Sequence, residues 1–181
     1  NLSYVTATTS LSIVTSIPAY EQNDLLLAIC SADTGSQQWT SLDPVGYFYQ
    51  YTATGAVWTD LTAAANNTTT GDVYITGATA AVNDAAYWGS TSIFYGIGFL
   101  VSTAPSVSQT WVHEYWNGSA WTTLTTLFTG ITTTMATGSR ITCFTPPGNW
   151  AQTAVNGTTA YWVRVRVSAY TSQTTRPLGT Q

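Results

Sequence analysis

Strict alternation of residue type over Tyr161–Val167 constrains the fold of this chain more than any other feature. The segment has the sequence YWVRVRV, which places Tyr161 and three valines on one face and Trp162, Arg164 and Arg166 on the other. Successive side chains of a β-strand point to opposite faces of its sheet. The pattern therefore predicts a half-buried strand whose arginines turn to solvent or to a partner.

Several other short segments have the composition of β-strands. Runs rich in apolar, β-branched and aromatic residues occur at Leu11–Ile17, Leu25–Ile29, Asp72–Thr76 and Ser92–Ser102. Turn signals separate such runs. The pair Asn117-Gly118 is typical of a tight hairpin, and Asn156-Gly157 is a turn signal that precedes the YWVRVRV strand.

Helical periodicity is nearly absent. The best candidates are Leu61–Ala65 and Trp150–Val155, each a turn or two at most. Many short strands with regular turns predict an all-β fold, an antiparallel β-sandwich of jelly-roll-like type. Residues 1–181 show no clear break in composition and are expected to form a single domain. The best boundary candidate, Ala63–Gly71 (AAANNTTTG), has the length of an ordinary loop.

The chain carries very little charge for its size. Charged residues make up 7% of its 181 residues, against roughly 25% in ordinary domains. Its basic residues are four arginines, and lysine is absent. Lysine usually guards exposed sheet edges, so its absence indicates edges covered by partners in an assembly. The alternative is a secreted single domain of high thermal stability.

Net charge and hydropathy exclude two classes of partner. A formal charge of −4 and a pI near 4.4 argue against nucleic acid and anionic membranes, which need a basic surface. No apolar run approaches the roughly 18 residues of a membrane span. The first ten residues lack the pattern of a signal peptide.

Cysteine and aspartate offer little evidence of a chemical site. Cys30 and Cys143 lie within apolar runs, where a buried free thiol is expected. The aspartates are scattered along the chain, mostly in turn-like segments. In such segments an aspartate side chain commonly accepts hydrogen bonds from nearby backbone amides. A calcium site built from such loops is an alternative, but no calcium-loop spacing supports it. We therefore expect no metal and no cofactor.

His113 and Glu114 are adjacent, and they are the residues most suggestive of catalysis. As neighbours on a strand they point to opposite faces, and no second glutamate lies nearby for a glycosidase pair. The sequence instead predicts a cross-strand ion pair of Glu114 with Arg164 or Arg166 on a solvent face. We expect no catalytic residues and no enzyme.

Tryptophan is abundant, with eight residues. Four of them are candidate partner contacts: Trp111, Trp116, Trp121 and Trp162. Flat aromatic rings also stack on sugars, so a glycan ligand is an alternative. Tryptophan and tyrosine are nevertheless most common in cores and subunit interfaces, which favours contact with another subunit.

The second half of the chain resembles a module of tailed-bacteriophage virion proteins. The string EYWNGSAWTTL, followed by FTPPGNWAQTAVNGTTAYWVRVRV, is similar to that module's pattern, as is the preceding DAAYWGSTSIFYGIGFLVSTA. The resemblance covers Asp84–Val167 well. The N-terminal half is similar only in its NDLLLAICSADTGSQQW stretch.

The resemblance implies an antiparallel sandwich that serves as a building block of capsid decoration, tail or baseplate components. It implies no catalytic residues. The expected function is a decoration or cement protein on the virion exterior, bound to the major capsid protein or other virion proteins. We expect the protein to form a homo-oligomer, for which a trimer is the working hypothesis. The alternatives are a glycan-binding tail or baseplate component and a prokaryotic surface-layer or filament subunit, which would be extracellular.

Overall fold

A computed structural model describes residues 46–180 of the chain. This part contains twelve strands and one short helix. They are β1 (Tyr47–Thr52), β2 (Val57–Asp60), α1 (Thr62–Ala65), β3 (Val73–Tyr74), β4 (Ala85–Ser90), β5 (Gly96–Thr103), β6 (Ser106–Trp116), β7 (Trp121–Thr123), β8 (Thr126–Thr129), β9 (Gly138–Phe144), β10 (Thr153–Val155), β11 (Thr158–Thr175) and β12 (Leu178–Gly179). The all-β prediction is confirmed.

The strands form two antiparallel sheets. The larger sheet has the order β2-β1-β4-β11-β6-β7, with β10 paired to β11 beside this path. The smaller sheet has the order β3-β12-β5-β9-β8. Consecutive strands repeatedly change sheet, from β4 to β5 to β6, from β9 to β10 and from β11 to β12. These crossings tie the two layers together as a sandwich.

The core lies between the sheets and contains side chains from both. The large sheet contributes Phe48, Trp88 and Val163, and the small sheet contributes Phe99 and Phe144. All five are buried. Alternation along β11 gives this result directly, since its valines point inward from a strand that pairs on both sides.

Of the two short helices predicted from the sequence, the structure contains one and lacks the other. Helix α1 coincides with the predicted Leu61–Ala65 turn. Trp150–Val155 is not helical, because Thr153, Ala154 and Val155 pair with β11 across the Asn156-Gly157 turn. The predicted strands at Leu11–Ile17 and Leu25–Ile29 lie outside the described residues.

The segment 63–71, the best boundary candidate from the sequence, lies within the described part of the chain. It contains the end of α1 and a loop into β3, and the amide of Gly71 donates to the carbonyl of Gly179 in β12. Among residues 46–180, no helix is both long enough and apolar enough to span a membrane.

Candidate functional site

The β6–β7 hairpin carries most of the predicted site residues. Trp116 pairs with Trp121, so the loop holds four residues, not the two of the tightest hairpins. Asn117 shapes this loop, because its side-chain oxygen accepts from the amides of Ser119 and Ala120. Gly118 adopts a φ of 97°, which favours glycine. The loop brings both indoles together with ring centroids 5.8 Å apart.

Glu114 binds two arginines of the neighbouring strand. It lies directly opposite Arg164 in the β6–β11 register. Its Oε2 accepts from Arg164 Nε at 2.6 Å and from Arg166 Nε at 2.9 Å, while Oε1 accepts from Arg166 Nη2 at 2.8 Å. The structure thus brings together the three residues that the sequence places on one face.

This ion pair is not on a solvent face, and that expectation was wrong. Glu114 is only 6% exposed. The Arg164 guanidinium lies 4.2 Å from the Trp121 ring centroid, and it donates to the Tyr87 hydroxyl. Aromatic side chains on the same face therefore cover the charge of Arg164, and both arginines bind Glu114 of their own chain.

The electrostatics of Glu114 follow from this enclosure. Burial by itself raises the pKa of the carboxyl, but hydrogen bonds and charge from Arg166 and Arg164 outweigh it and hold the pKa below its ordinary value. The hydrogen bond to Glu114 raises the pKa of Arg166 in turn. Glu114 and Arg166 therefore both stay ionised near neutral pH.

An aromatic cluster covers the rest of the outer face of the large sheet. Trp162 is its centre, with Tyr49 and Tyr47 at 5.2 and 5.9 Å between ring centroids. Trp162 is 0% exposed, so its prediction as a partner contact was wrong. Its ring is covered by the protein itself.

The β10–β11 hairpin provides that cover. The indole of Trp162 donates to the carbonyl of Thr153, and the Tyr49 hydroxyl bonds the Thr158 hydroxyl. Farther along, the amide of Ala151 donates to the carbonyl of Trp116. The hairpin is therefore fixed to both β1 and β6, and its edge forms one wall of a cleft.

The cleft lies beside the hairpin on the outer face and has a volume of about 250 Å³. Its lining consists of Trp58, Tyr87, Trp116, Trp121, Thr153, Ala154, Val155 and Asn156. Trp116 and Trp121 were predicted contacts, whereas Trp58 and Tyr87 were missed. No local sequence pattern identifies Trp58 and Tyr87 as site residues. Their strands, β2 and β4, join the β6–β7 hairpin in one sheet only through the order of strands.

Trp111 and His113 belong to the other face of β6. Trp111 packs against the inter-sheet core, and its indole donates to Gln109. His113 lines a separate cavity of about 240 Å³ between β6 and the segment after β8. Its Nε2 is buried without a hydrogen-bond partner. Burial lowers the pKa of His113 to about 4, so the ring is neutral at pH 7.

Among residues 46–180, no three His, Cys, Asp or Glu side chains come together as a metal site. Cys143 is buried, as predicted, but it is disulfide-bonded, so the expected free thiol was wrong. The other cysteine of the chain, Cys30, lies outside the described residues.

Comparison with known proteins identified no relative of this chain. No family model matches the chain, and no curated protein or solved structure is detectably similar to it.

Proposed function

We propose that this chain is a structural protein of a bacteriophage virion, a decoration or cement subunit that acts by protein–protein binding. The observation that carries the proposal is the uncharged, apolar edge of the small sheet. Strand β8 ends that sheet, and its consecutive residues Leu127 and Phe128 are 61% and 51% exposed. The resemblance of Asp84–Val167 to virion modules supports the same role.

The edge strand β8 has the features of an interface. Its sequence is TLFT, and one side of its backbone has no neighbouring strand within the described part of the chain. An exposed apolar edge without charge is a template for another chain. Another strand could add to it by backbone hydrogen bonds, with Leu127 and Phe128 as apolar anchors.

All four arginines are engaged within the protein, so none guards this edge. Arg164 and Arg166 bind Glu114. Arg140 donates to the carbonyls of Ala136 and Thr137, and Arg176 lies over the Tyr74 ring. With no lysine in the sequence, little charge opposes association. This supports binding to the major capsid protein or other virion proteins, and to further copies of the chain.

Protein composition of purified particles tests the role directly. A decoration protein is expected at a fixed high copy number in heads separated from tails. Detection only in tails or baseplates would favour the tail alternative. Polymerisation of the isolated chain into sheets or filaments would favour the surface-layer alternative. Absence from particles would reject the virion role.

Charge placed at the β8 edge tests the binding surface. Leu127→Lys with Phe128→Lys should abolish rebinding of the purified chain to particles that lack it, and should reduce self-association measured by light scattering. Val82→Lys is the matched control, because Val82 is 44% exposed in a loop away from β8. Equal rebinding by the β8 variant and the control would exclude this edge as the interface.

A further inference from the structure

We infer that the cleft on the outer face of the large sheet binds one neutral pyranose unit of a glycan, held by aromatic rings and by the polar side chains of Thr153 and Asn156. This site is independent of the assembly role. The cleft lies on the large sheet, whereas Leu127 and Phe128 lie at the edge of the small one. Either proposal can fail while the other stands.

The rings of the cleft come from opposite edges of the sheet. Trp58 lies on β2 and Trp121 on β7, the two outermost strands, yet both contact Tyr87 of the interior strand β4. The ring planes are inclined to Tyr87 by 51° and 74°. They form the walls and floor of a cleft, not a flat platform. Such walls suit a small ring that is enclosed, not a long chain that lies across a surface.

The chemistry of the lining points to a ligand with both apolar faces and polar edges. Trp58, Trp116 and Trp121 are all half-buried, so each keeps part of its ring accessible. Thr153 and Asn156 add a hydroxyl and an amide on the β10 side. A pyranose matches this arrangement, because its C–H faces pack on aromatic rings while its hydroxyls hydrogen-bond at the rim.

Charge complementarity requires a neutral ligand. All eight lining residues are uncharged. The nearby cation, Arg164, is bonded to Glu114 and lies against the Trp121 ring, so it is already neutralised. A phosphate or carboxylate would therefore find no free counter-charge here.

The size of the cleft limits the ligand to one ring. Its volume of about 250 Å³ lies below the roughly 300–1,000 Å³ typical of pockets for larger ligands. Neighbouring sugars of a glycan would extend into solvent past Ala154, which is exposed at the rim. The cleft is thus suited to recognise a terminal or single sugar.

The test is saturation-transfer NMR on the full chain with methyl glycosides of glucose, galactose, mannose and N-acetylglucosamine. Glucuronic acid and a proline-rich peptide serve as acidic and protein-like probes. Trp58→Ala and Trp116→Ala should weaken sugar binding at least about tenfold. Ala154→Trp should block the cleft without removing any contact. Trp111→Ala is the control, because Trp111 lies on the opposite face of β6 from Trp116.

The outcomes separate the proposal from its rivals. Binding of a neutral sugar that is lost in the three cleft variants and kept in the control supports it. If no neutral glycoside binds the folded wild-type chain, the inference is wrong. Sugar binding that is unaffected by Ala154→Trp also overturns it, as does binding of the peptide or the acidic sugar alone. Melting curves of each variant confirm that a loss of binding is not a loss of fold.

Discussion

Gly89 lies directly opposite Trp162 in the β4–β11 pair, and the Trp162 indole occupies the space that a side chain at position 89 would need. This close approach allows the indole to lie flat against the sheet beneath the β10–β11 hairpin. Glycine is required here for space and not for an unusual backbone conformation. The aromatic cluster on the outer face therefore depends on the absence of one methyl group.

Gly89→Ala is expected to destabilise the protein by about 2–3 kcal/mol, because the added methyl group must displace a fully buried indole. The free energy of unfolding in urea measures the change. Gly148→Ala is the control, since a methyl group at that position meets nothing within 4 Å. Equal stability of the two variants would show that Trp162 does not pack as described.

Glu114→Gln should destabilise the fold by about 3 kcal/mol, because it removes the negative charge that two half-buried guanidiniums share. The double variant Glu114→Gln with Arg166→Gln should recover part of this loss. A double-mutant cycle from urea unfolding gives the coupling energy. A coupling energy near zero would contradict the bonds from Arg166 to both carboxylate oxygens.

Acid should destabilise the protein through His113. Its folded pKa is about 4 against an ordinary value of 6.5, so the unfolded chain takes up the proton first. The contribution of neutral His113 to the free energy of unfolding is complete above pH 6.5. It decreases by up to about 3 kcal/mol as the pH falls towards 4. Unfolding measured at pH 7.5 and pH 4.5 should show this loss. His113→Gln should lose clearly less stability over the same interval.

Asp84 connects two segments of backbone. Its buried carboxylate accepts from the amides of Ala53 and Ala81. Asp84→Ala should cost about 3 kcal/mol, since it leaves these donors unsatisfied. Asp84→Asn, which keeps one acceptor oxygen, should cost less. Thermal unfolding of both variants checks the order, and the reverse order would contradict this arrangement of hydrogen bonds.

The disulfide of Cys143 predicts that this residue carries no free thiol in the native protein. Alkylation in denaturant without reductant should leave Cys143 unlabelled, and prior reduction should expose it to the reagent. Mass spectrometry distinguishes the two results. Labelling of Cys143 without reduction would contradict the disulfide and support the free thiol that the sequence predicts.

Much of the β11 neighbourhood could be predicted from sequence, because period-two alternation is a property of the strand itself. It separates Val163 from Arg164, and it places His113 and Glu114 on opposite faces of β6. It could not reveal that Trp162 is covered, since the cover comes from a hairpin whose β10 segment was expected to be helical. A local apolar pattern does not distinguish a short strand from a helical turn.

The sequence alone determined the all-β class, the faces on which side chains lie, and the charge-poor composition. Only the tertiary structure decided which of those faces is enclosed. It turned the expected surface pair of Glu114 into a buried network, because Trp121 and Tyr87 cover Arg164. It also brought Trp58 and Trp121 from opposite edges of one sheet into a single cleft. Strand order and sheet packing depend on contacts between residues far apart in the chain, and alternation within a single strand carries no information about them.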